Sequence, residues 1–201
     1  MTRRDDADSD ELAVLRDQIE RIDAHLQIQQ LAQRYAFAID ARDLDAVVEL
    51  YVPDISRPDM PGSGREHLKQ LLNERMRLFY RTMHQVVGHA IELLDADHAR
   101  GKVYTRAEHE RGDEWIDMAV CYHDQYERRD GTWLFASRSL HPLHVSVLQD
   151  RPRPPYKAPF WAPHRTLVPD IWPTWSAFWA DTPDEEIARL TPQPVHRRPE
   201  A

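Results

Sequence analysis

The sequence predicts an α+β fold, in which helices come first and a sheet of long antiparallel strands follows. Apolar residues recur at helical spacing through most of the first 79 positions, whereas apolar and polar residues alternate from His84 onward. Two tight-turn signals, at residues 95–97 and 129–131, interrupt the alternating region. Because the helices precede the strands, we expect them to pack on one face of a curved sheet.

The helical half of the chain divides at two breaks. Residues 11–41 predict one long or broken helix whose second half packs on the sheet, and residues 1–10 are interpreted as a disordered leader. Asp43 is expected to cap a second helix at residues 44–51. A loop rich in proline and glycine follows, and a third helix is predicted at residues 65–79. The strands are predicted at residues 84–94, 99–110, 115–128 and 132–147.

The C-terminal part of the chain differs in composition. From residue 142 onward it holds 12 of the 15 prolines and four of the six tryptophans. Repeated prolines exclude regular structure there until about residues 174–179 and 183–190, and so much tryptophan is not typical of a solvated linker. We therefore predict three regions: a leader and helix extension at 1–24, the α+β domain at 25–147, and at 148–201 an extension that wraps this domain or a neighbouring subunit.

Composition and charge argue against several classes of function. With 34 acidic and 26 basic residues the formal net charge is −8, which disfavours a nucleic-acid-binding surface. No run approaches the roughly 18 apolar residues of a membrane-spanning helix, and residues 1–10 lack the apolar segment of a signal peptide. Cys121 is the one cysteine, so no internal disulfide can form. We expect a cytoplasmic protein that binds neither nucleic acid nor membrane.

No pattern in the sequence points to a metal or an organic cofactor. There is no Cys/His spacing typical of a zinc site, and the six glycines are too scattered for a phosphate-binding or dinucleotide-binding loop. Any chemistry is therefore expected to depend on side chains alone.

Three strings resemble the SnoaL-like branch of the nuclear transport factor 2 superfamily. They are IQQLAQRYAFAIDARD at residues 28–43, TMHQ at 82–85 and YHDQYERRDGTW at 122–133, and Arg138 follows them. Together they span about residues 25–145. The resemblance implies a cone-shaped α+β barrel with a pocket for a small hydrophobic or aromatic molecule, and a homodimer or homotrimer.

The resemblance also implies a catalytic group. In dehydratases and a dehydrochlorinase of this branch, an aspartate at the end of the first barrel helix pairs with a histidine on the first long strand, and Asp40 and His84 match these positions. Arg138 matches an arginine on the last strand, where it would steady developing negative charge. Tyr35 would donate a proton or a hydrogen bond to a departing hydroxyl. Since a carboxylate orients a neutral imidazole as a general base, these four residues are the predicted catalytic set.

Further side chains are predicted to line the pocket and contact substrate: His109, Tyr122, Tyr51 and Tyr104. His109 and Tyr104 fall on opposite faces of one predicted strand unless a bulge intervenes, so their placement stays open. Simpler interpretations stay open as well. Arg138 would only pair with Asp124 or Glu127 across the sheet, and the remaining histidines would be structural or exposed.

These residues favour a cofactor-independent lyase with His84 and Asp40 as its base. It would eliminate water, or a small carbonyl fragment such as formaldehyde, from a small hydroxylated aromatic or polycyclic substrate. Two alternatives remain: an isomerase or cyclase that uses the same base, and a non-catalytic ligand-binding or oligomer-scaffold protein. The enzyme requires side-chain atoms of Asp40 and His84 to lie within about 3.2 Å of each other.

Overall fold

In the described part of the chain, three helices lead into a four-stranded sheet and two short helices follow it. The computed structural model describes residues 2–58, 60–148 and 172–190. The helices before the sheet are α1 (Thr2–Asp40), α2 (Leu44–Glu49) and α3 (Arg65–Met76). The strands are β1 (Arg81–Leu93), β2 (His98–Arg111), β3 (Glu114–Arg129) and β4 (Thr132–Leu148), and the last helices are α4 (Pro173–Trp179) and α5 (Asp184–Leu190). The predicted α+β class is confirmed.

The sheet is a simple antiparallel meander in the order β1-β2-β3-β4. Three register shifts bend it: one leaves Val87 of β1 unpaired opposite β2, and two leave Ala136 and Leu143 of β4 unpaired opposite β3. Such bulges increase the local twist and change which face the next side chain occupies. They therefore decide which residues of the long strands turn toward the helices.

The predicted disordered leader is wrong, because α1 is one unbroken helix that begins at Thr2. Neither glycine nor proline occurs within α1, so no residue of these two types interrupts it. Asp43 caps α2 as predicted, and its Oδ1 accepts a hydrogen bond from the Ala46 amide at 3.0 Å. The third helix ends at Met76, three residues before its predicted end, and β1 begins correspondingly early at Arg81.

The core lies between α1, α2 and the concave inner face of the sheet. Its largest fully buried side chains include Ile28, Leu31 and Ile39 of α1 and Tyr126 and Phe135 of the sheet. The chain after α2 joins the sheet through a bridge between Tyr51 and Phe135. These contacts fix the C-terminal half of α1 across the sheet, so the last turn of α1 meets β1.

Helix α4 packs on the same chain. Its buried side chains Trp175, Phe178 and Trp179 join the main core, and the Thr174 hydroxyl donates to the carbonyl of Ala41 at 2.8 Å. The Arg77 guanidinium stacks 4.7 Å from the centroid of the Phe178 ring. Trp161 and the rest of the predicted extension at 149–171 and 191–201 lie outside the described residues.

None of the helices in the described part of the chain combines the length and the apolar character that a bilayer crossing requires.

Candidate active site

Strand register gathers the candidate residues on the inner face of the sheet. Thr82 pairs with His109 across β1 and β2, and Asp124 pairs with Arg138 across β3 and β4. Residues paired in this way point to the same face. Along β2 the buried and exposed residues alternate, so that His109 is buried. The structure therefore resolves the placement of His109, which the sequence left open.

Asp40 and His84 form the centre of the site. The Asp40 carboxylate accepts hydrogen bonds from the His84 ring Nδ1 at 2.7 Å, from the His84 backbone amide at 2.8 Å and from the Thr82 hydroxyl at 2.8 Å. Both side chains of the pair are 8 % exposed. Because Nδ1 donates to the carboxylate, the ring tautomer is fixed and Nε2 is the nitrogen available as a base.

Arg42 supports this arrangement from the turn after α1. Its guanidinium donates to the Thr82 hydroxyl at 2.9 Å, to the Ile39 carbonyl at 2.9 Å and to the Phe79 carbonyl at 3.0 Å. Burial lowers the pKa of Arg42 to about 10, although nearby Asp40 opposes the shift. Arg42 thus stays cationic at neutral pH and orients Thr82, which in turn donates to Asp40.

Sequence reasoning missed Arg42 and Thr82. Both lie in the strings that carry the family resemblance, but neither has a pattern that indicates a role. Arg42 adopts a φ of 59°, a conformation uncommon for a residue other than glycine. This conformation aims the side chain back at β1, and sequence periodicity does not report it.

His109 forms the second imidazole of the site. Its ring centroid lies 5.6 Å from that of His84 and 4.6 Å from that of Phe79. Burial, together with the neighbouring His84 and Arg42, lowers the pKa of His109 to about 4. His109 is therefore neutral at physiological pH and presents a hydrogen-bonding group beside His84.

Arg138 lies in an aromatic cage on the same face. Its guanidinium carbon is 4.1 Å from the ring centroid of Tyr122, 4.3 Å from that of Tyr35 and 4.6 Å from that of Phe135. Its Nε donates to Asp124 Oδ1 at 3.1 Å, and its side chain is 3 % exposed. The ion pair with Asp124, which the sequence offered as the simpler interpretation of Arg138, is therefore present. It leaves Nη1 buried without a hydrogen-bond partner among the described residues, a donor free for a ligand.

A hydrogen-bonded chain holds Asp124 in place. The Tyr126 hydroxyl donates to Asp124 Oδ2 at 3.0 Å, and His89 Nε2 lies 2.9 Å from the same hydroxyl. Because this hydroxyl gives its proton to Asp124, the His89 nitrogen acts as the donor. The β1 bulge turns His89 to the inner face, although it lies an odd number of residues from His84. Sequence reasoning grouped His89 with the structural or exposed histidines and gave it no role.

Three of the predicted tyrosines lie on the inner side. Tyr35 meets Tyr122 edge to face at 6.2 Å, and Tyr51 packs against Phe135 at 5.1 Å. Burial raises the pKa of all three tyrosines, so their hydroxyls stay protonated at neutral pH and can donate. The prediction that Tyr104 lines the pocket is wrong: its side chain occupies the outer face of β2 and is 55 % exposed, because strand neighbours alternate between faces.

An apolar patch separates the two polar groups. The patch consists of Ala32, Val103, Val120 and Tyr122, with Val86 and Met118 at its margin. Along β1, His84 and His89 are five residues apart, which corresponds to about 15 Å of strand. The inner face therefore carries a base at one end, a buried cation at the other and apolar surface between them. Within the described residues, no group of three or more His, Cys, Asp or Glu side chains is placed to hold a metal ion.

Acid should weaken the fold through the two inner histidines. Burial lowers the pKa of both His89 and His109 to about 4, against 6.5 for the free side chain. Below about pH 6.5 these two histidines bind protons in the unfolded chain but remain neutral in the folded chain. The free energy of unfolding therefore falls as the pH drops toward about 4. Urea unfolding across this range measures the slope. H109Q should reduce the slope, whereas H98Q, at the exposed start of β2, should not. Equal slopes in the wild type and both variants would contradict the assignment.

Comparison with known proteins agrees with this architecture. A crystal structure of hexachlorocyclohexane dehydrochlorinase LinA-type3 from Novosphingobium barchaimii LL02 superposes with a TM-score of 0.62 at 21 % identity, covering 69 % of this chain and 99 % of that one. A candidate scytalone dehydratase from Novosphingobium aromaticivorans DSM 12444 gives a TM-score of 0.57 at 20 % identity, covering 67 % and 93 %. At such identities the likeness establishes the shared fold.

A family model for the SnoaL-like domain matches residues 20–139, more than half of the chain. A search of the curated proteins finds no significant match. The matched region contains α1 from its middle onward, the whole Asp40–His84 pair and Arg138. The resemblance stated from the sequence is therefore confirmed, and this protein belongs to the SnoaL-like domain family of the nuclear transport factor 2-like superfamily.

Proposed function

We propose that this protein is a cofactor-independent lyase acting on a small hydroxylated aromatic or polycyclic substrate. The observation that carries the proposal is the 2.7 Å hydrogen bond between Asp40 and His84 Nδ1. It lies inside the limit of about 3.2 Å that a carboxylate-oriented base requires. The Thr82 hydroxyl and the His84 amide hold the same carboxylate, so the pair is preorganised before a substrate arrives.

In the proposed reaction, His84 Nε2 removes a proton from a carbon next to a carbonyl of the substrate. The electron pair of that C–H bond forms a C=C bond, and the neighbouring C–O bond breaks. Asp40 stabilises the imidazolium that forms. The departing hydroxide takes the proton back from this imidazolium and leaves as water, so atoms and charge balance without an oxidant. If the base instead takes the proton of a hydroxymethyl group, a C=O bond forms, the adjacent C–C bond breaks and formaldehyde leaves. The remaining carbanion then takes the proton from the His84 imidazolium.

The opposite end of the inner face suits the negative charge that conjugation carries across an aromatic or polycyclic body, away from the carbon that loses its proton. Arg138 keeps a buried, unpartnered Nη1, and Tyr35 lies against its guanidinium with a protonated hydroxyl. In a buried environment such donors stabilise an oxyanion more strongly than they do in water. The apolar patch between them and the base has the chemistry that an aromatic body would contact. The structural neighbours include a dehydrochlorinase and a candidate dehydratase, both named for elimination reactions, which supports the same reaction class here.

A screen of hydroxylated aromatic and polycyclic ketones by mass spectrometry tests the reaction type. A lyase yields a product lighter by water or by formaldehyde, whereas an isomerase or cyclase changes the retention of a compound but keeps its mass. Compounds that raise the melting temperature without any turnover would contradict the enzyme and favour a binding protein.

For any compound that is converted, Asp40→Asn should lower turnover by about 10²-fold or more. The asparagine presents an amide nitrogen or a neutral oxygen to His84, so the ring loses its fixed tautomer and its imidazolium loses its counter-charge. Asp45→Asn is the matched control, because Asp45 is an exposed carboxylate paired with Lys69 on the surface. An Asp40→Asn protein with unchanged turnover would reject Asp40 as the orienting group.

A further inference from the structure

The N-terminal half of α1 carries an apolar surface that the described residues leave uncovered. We call it the α1 stripe, and it consists of Leu12, Leu15, Ile19, Ile22 and Leu26. Each of these side chains is between 46 % and 65 % exposed. Leu12, Leu15 and Ile19 precede residue 20, where the match to the family model begins. Water-exposed leucine and isoleucine side chains in a continuous row are unusual on a monomer surface.

The stripe lies on the opposite side of α1 from the face that packs on the sheet. At 100° per residue, its mean direction is about 160° from that of Ala24, Ile28 and Leu31. The exposures agree: Ile28 is fully buried, whereas Leu26, two residues earlier, is 55 % exposed. The barrel of the same chain therefore cannot cover the stripe without releasing the core face of α1.

The spacing within the stripe selects a helical partner. Its members follow one another at intervals of three, four, three and four residues, which is the a/d repeat of a two-stranded coiled coil. In that register Glu11, Gln18 and His25 take the g positions, and Arg16 and Asp23 take the e positions. The a and d side chains of such a row pack between the side chains of a second helix that has the same repeat. The α1 helix of a second copy of this protein is such a helix.

Charge complementarity agrees with a second copy of this chain in either orientation. If the two helices run parallel, Glu11 of one faces Arg16 of the other; if they run antiparallel, Arg16 of one faces Asp23 of the other. We propose that two copies of this protein pair along the α1 stripe and form a helical dimer interface outside the barrel. This interface is independent of the proposed reaction, because the catalytic residues lie at the other end of α1 and inside the sheet.

Sedimentation equilibrium of the full chain over a range of concentrations tests the proposal. Ile19→Lys combined with Ile22→Lys places four charges in the dimer seam, and the dissociation constant for the association should rise at least about 100-fold. Val14→Lys is the matched control: it is an equally exposed aliphatic residue on the same helix, directed away from the stripe, and it should leave the association unchanged. Circular dichroism checks that all variants keep their helix content.

A charge reversal gives a second, milder test. Arg16→Glu opposes like charges in both orientations and should weaken association several-fold. Adding Glu11→Arg restores a parallel dimer, and adding Asp23→Arg restores an antiparallel one. A wild-type chain that is monomeric at every concentration would overturn the proposal and leave the stripe to a different partner. An association that none of the stripe variants weakens would overturn it too, since another surface would then hold the copies together.

Discussion

Replacing His84 by alanine should abolish most of the catalysis, with turnover of any true substrate falling by about 10²- to 10⁴-fold or more. The Asp40 carboxylate holds the imidazole through ring Nδ1, which leaves Nε2 as the atom that accepts the substrate proton. We expect the alanine variant to keep the substrate contacts of the apolar patch and Arg138, because only the atom that accepts the proton is removed. Single-turnover measurements at saturating substrate therefore should show the loss in the chemical step.

The matched control is His98→Ala. His98 is the exposed first residue of β2, where its Nδ1 contacts Asp95, and its removal takes away an imidazole without touching the inner face. The control should turn over at the wild-type rate. If His84→Ala kept full activity while remaining folded, proton abstraction by this residue would be rejected, and His109, whose ring lies 5.6 Å away, would become the next base to test.

Replacing Arg138 by methionine should destabilise the fold by about 3–5 kcal/mol, because it leaves Asp124 buried without its counter-charge. The two side chains are 3 % and 0 % exposed, so water cannot replace the lost partner. Methionine has a similar length and keeps the contacts with the surrounding rings. Urea unfolding at neutral pH measures the change.

Two further proteins separate charge from packing at this site. The double variant Arg138→Met with Asp124→Asn removes the orphaned charge and should recover part of the lost stability in a double-mutant cycle. Arg100→Met breaks a surface pair with Glu92 and should cause no measurable change. A loss below about 1 kcal/mol in Arg138→Met would contradict a buried ion pair. Burial raises the pKa of Asp124, so the cost of the single variant should shrink in acid as this carboxyl takes up a proton.

The sequence by itself determined the class of fold, the order of the elements and the central pair of the site. Helical spacing, strand alternation and turn signals are local properties, and they specified three helices followed by a four-stranded meander. The family strings added Asp40 and His84, whose pairing follows from a helix end that meets the first strand. These predicted features are found in the structure because local propensity and tertiary packing favour the same elements.

Only the tertiary structure decided which side chains share the inner face and which surface remains free. The bulge in β1 brings His89 inward and the register of β2 leaves Tyr104 outside, and a shift of one residue would exchange such faces. Arg42 reaches Thr82 from a turn with positive φ, and Thr82 donates from β1 to Asp40; periodicity reports neither contact. The α1 stripe has the same helical spacing as the core-facing residues of α1. Its exposure follows from the way α1 lies across the sheet, because a helix can bury only the face that another element covers.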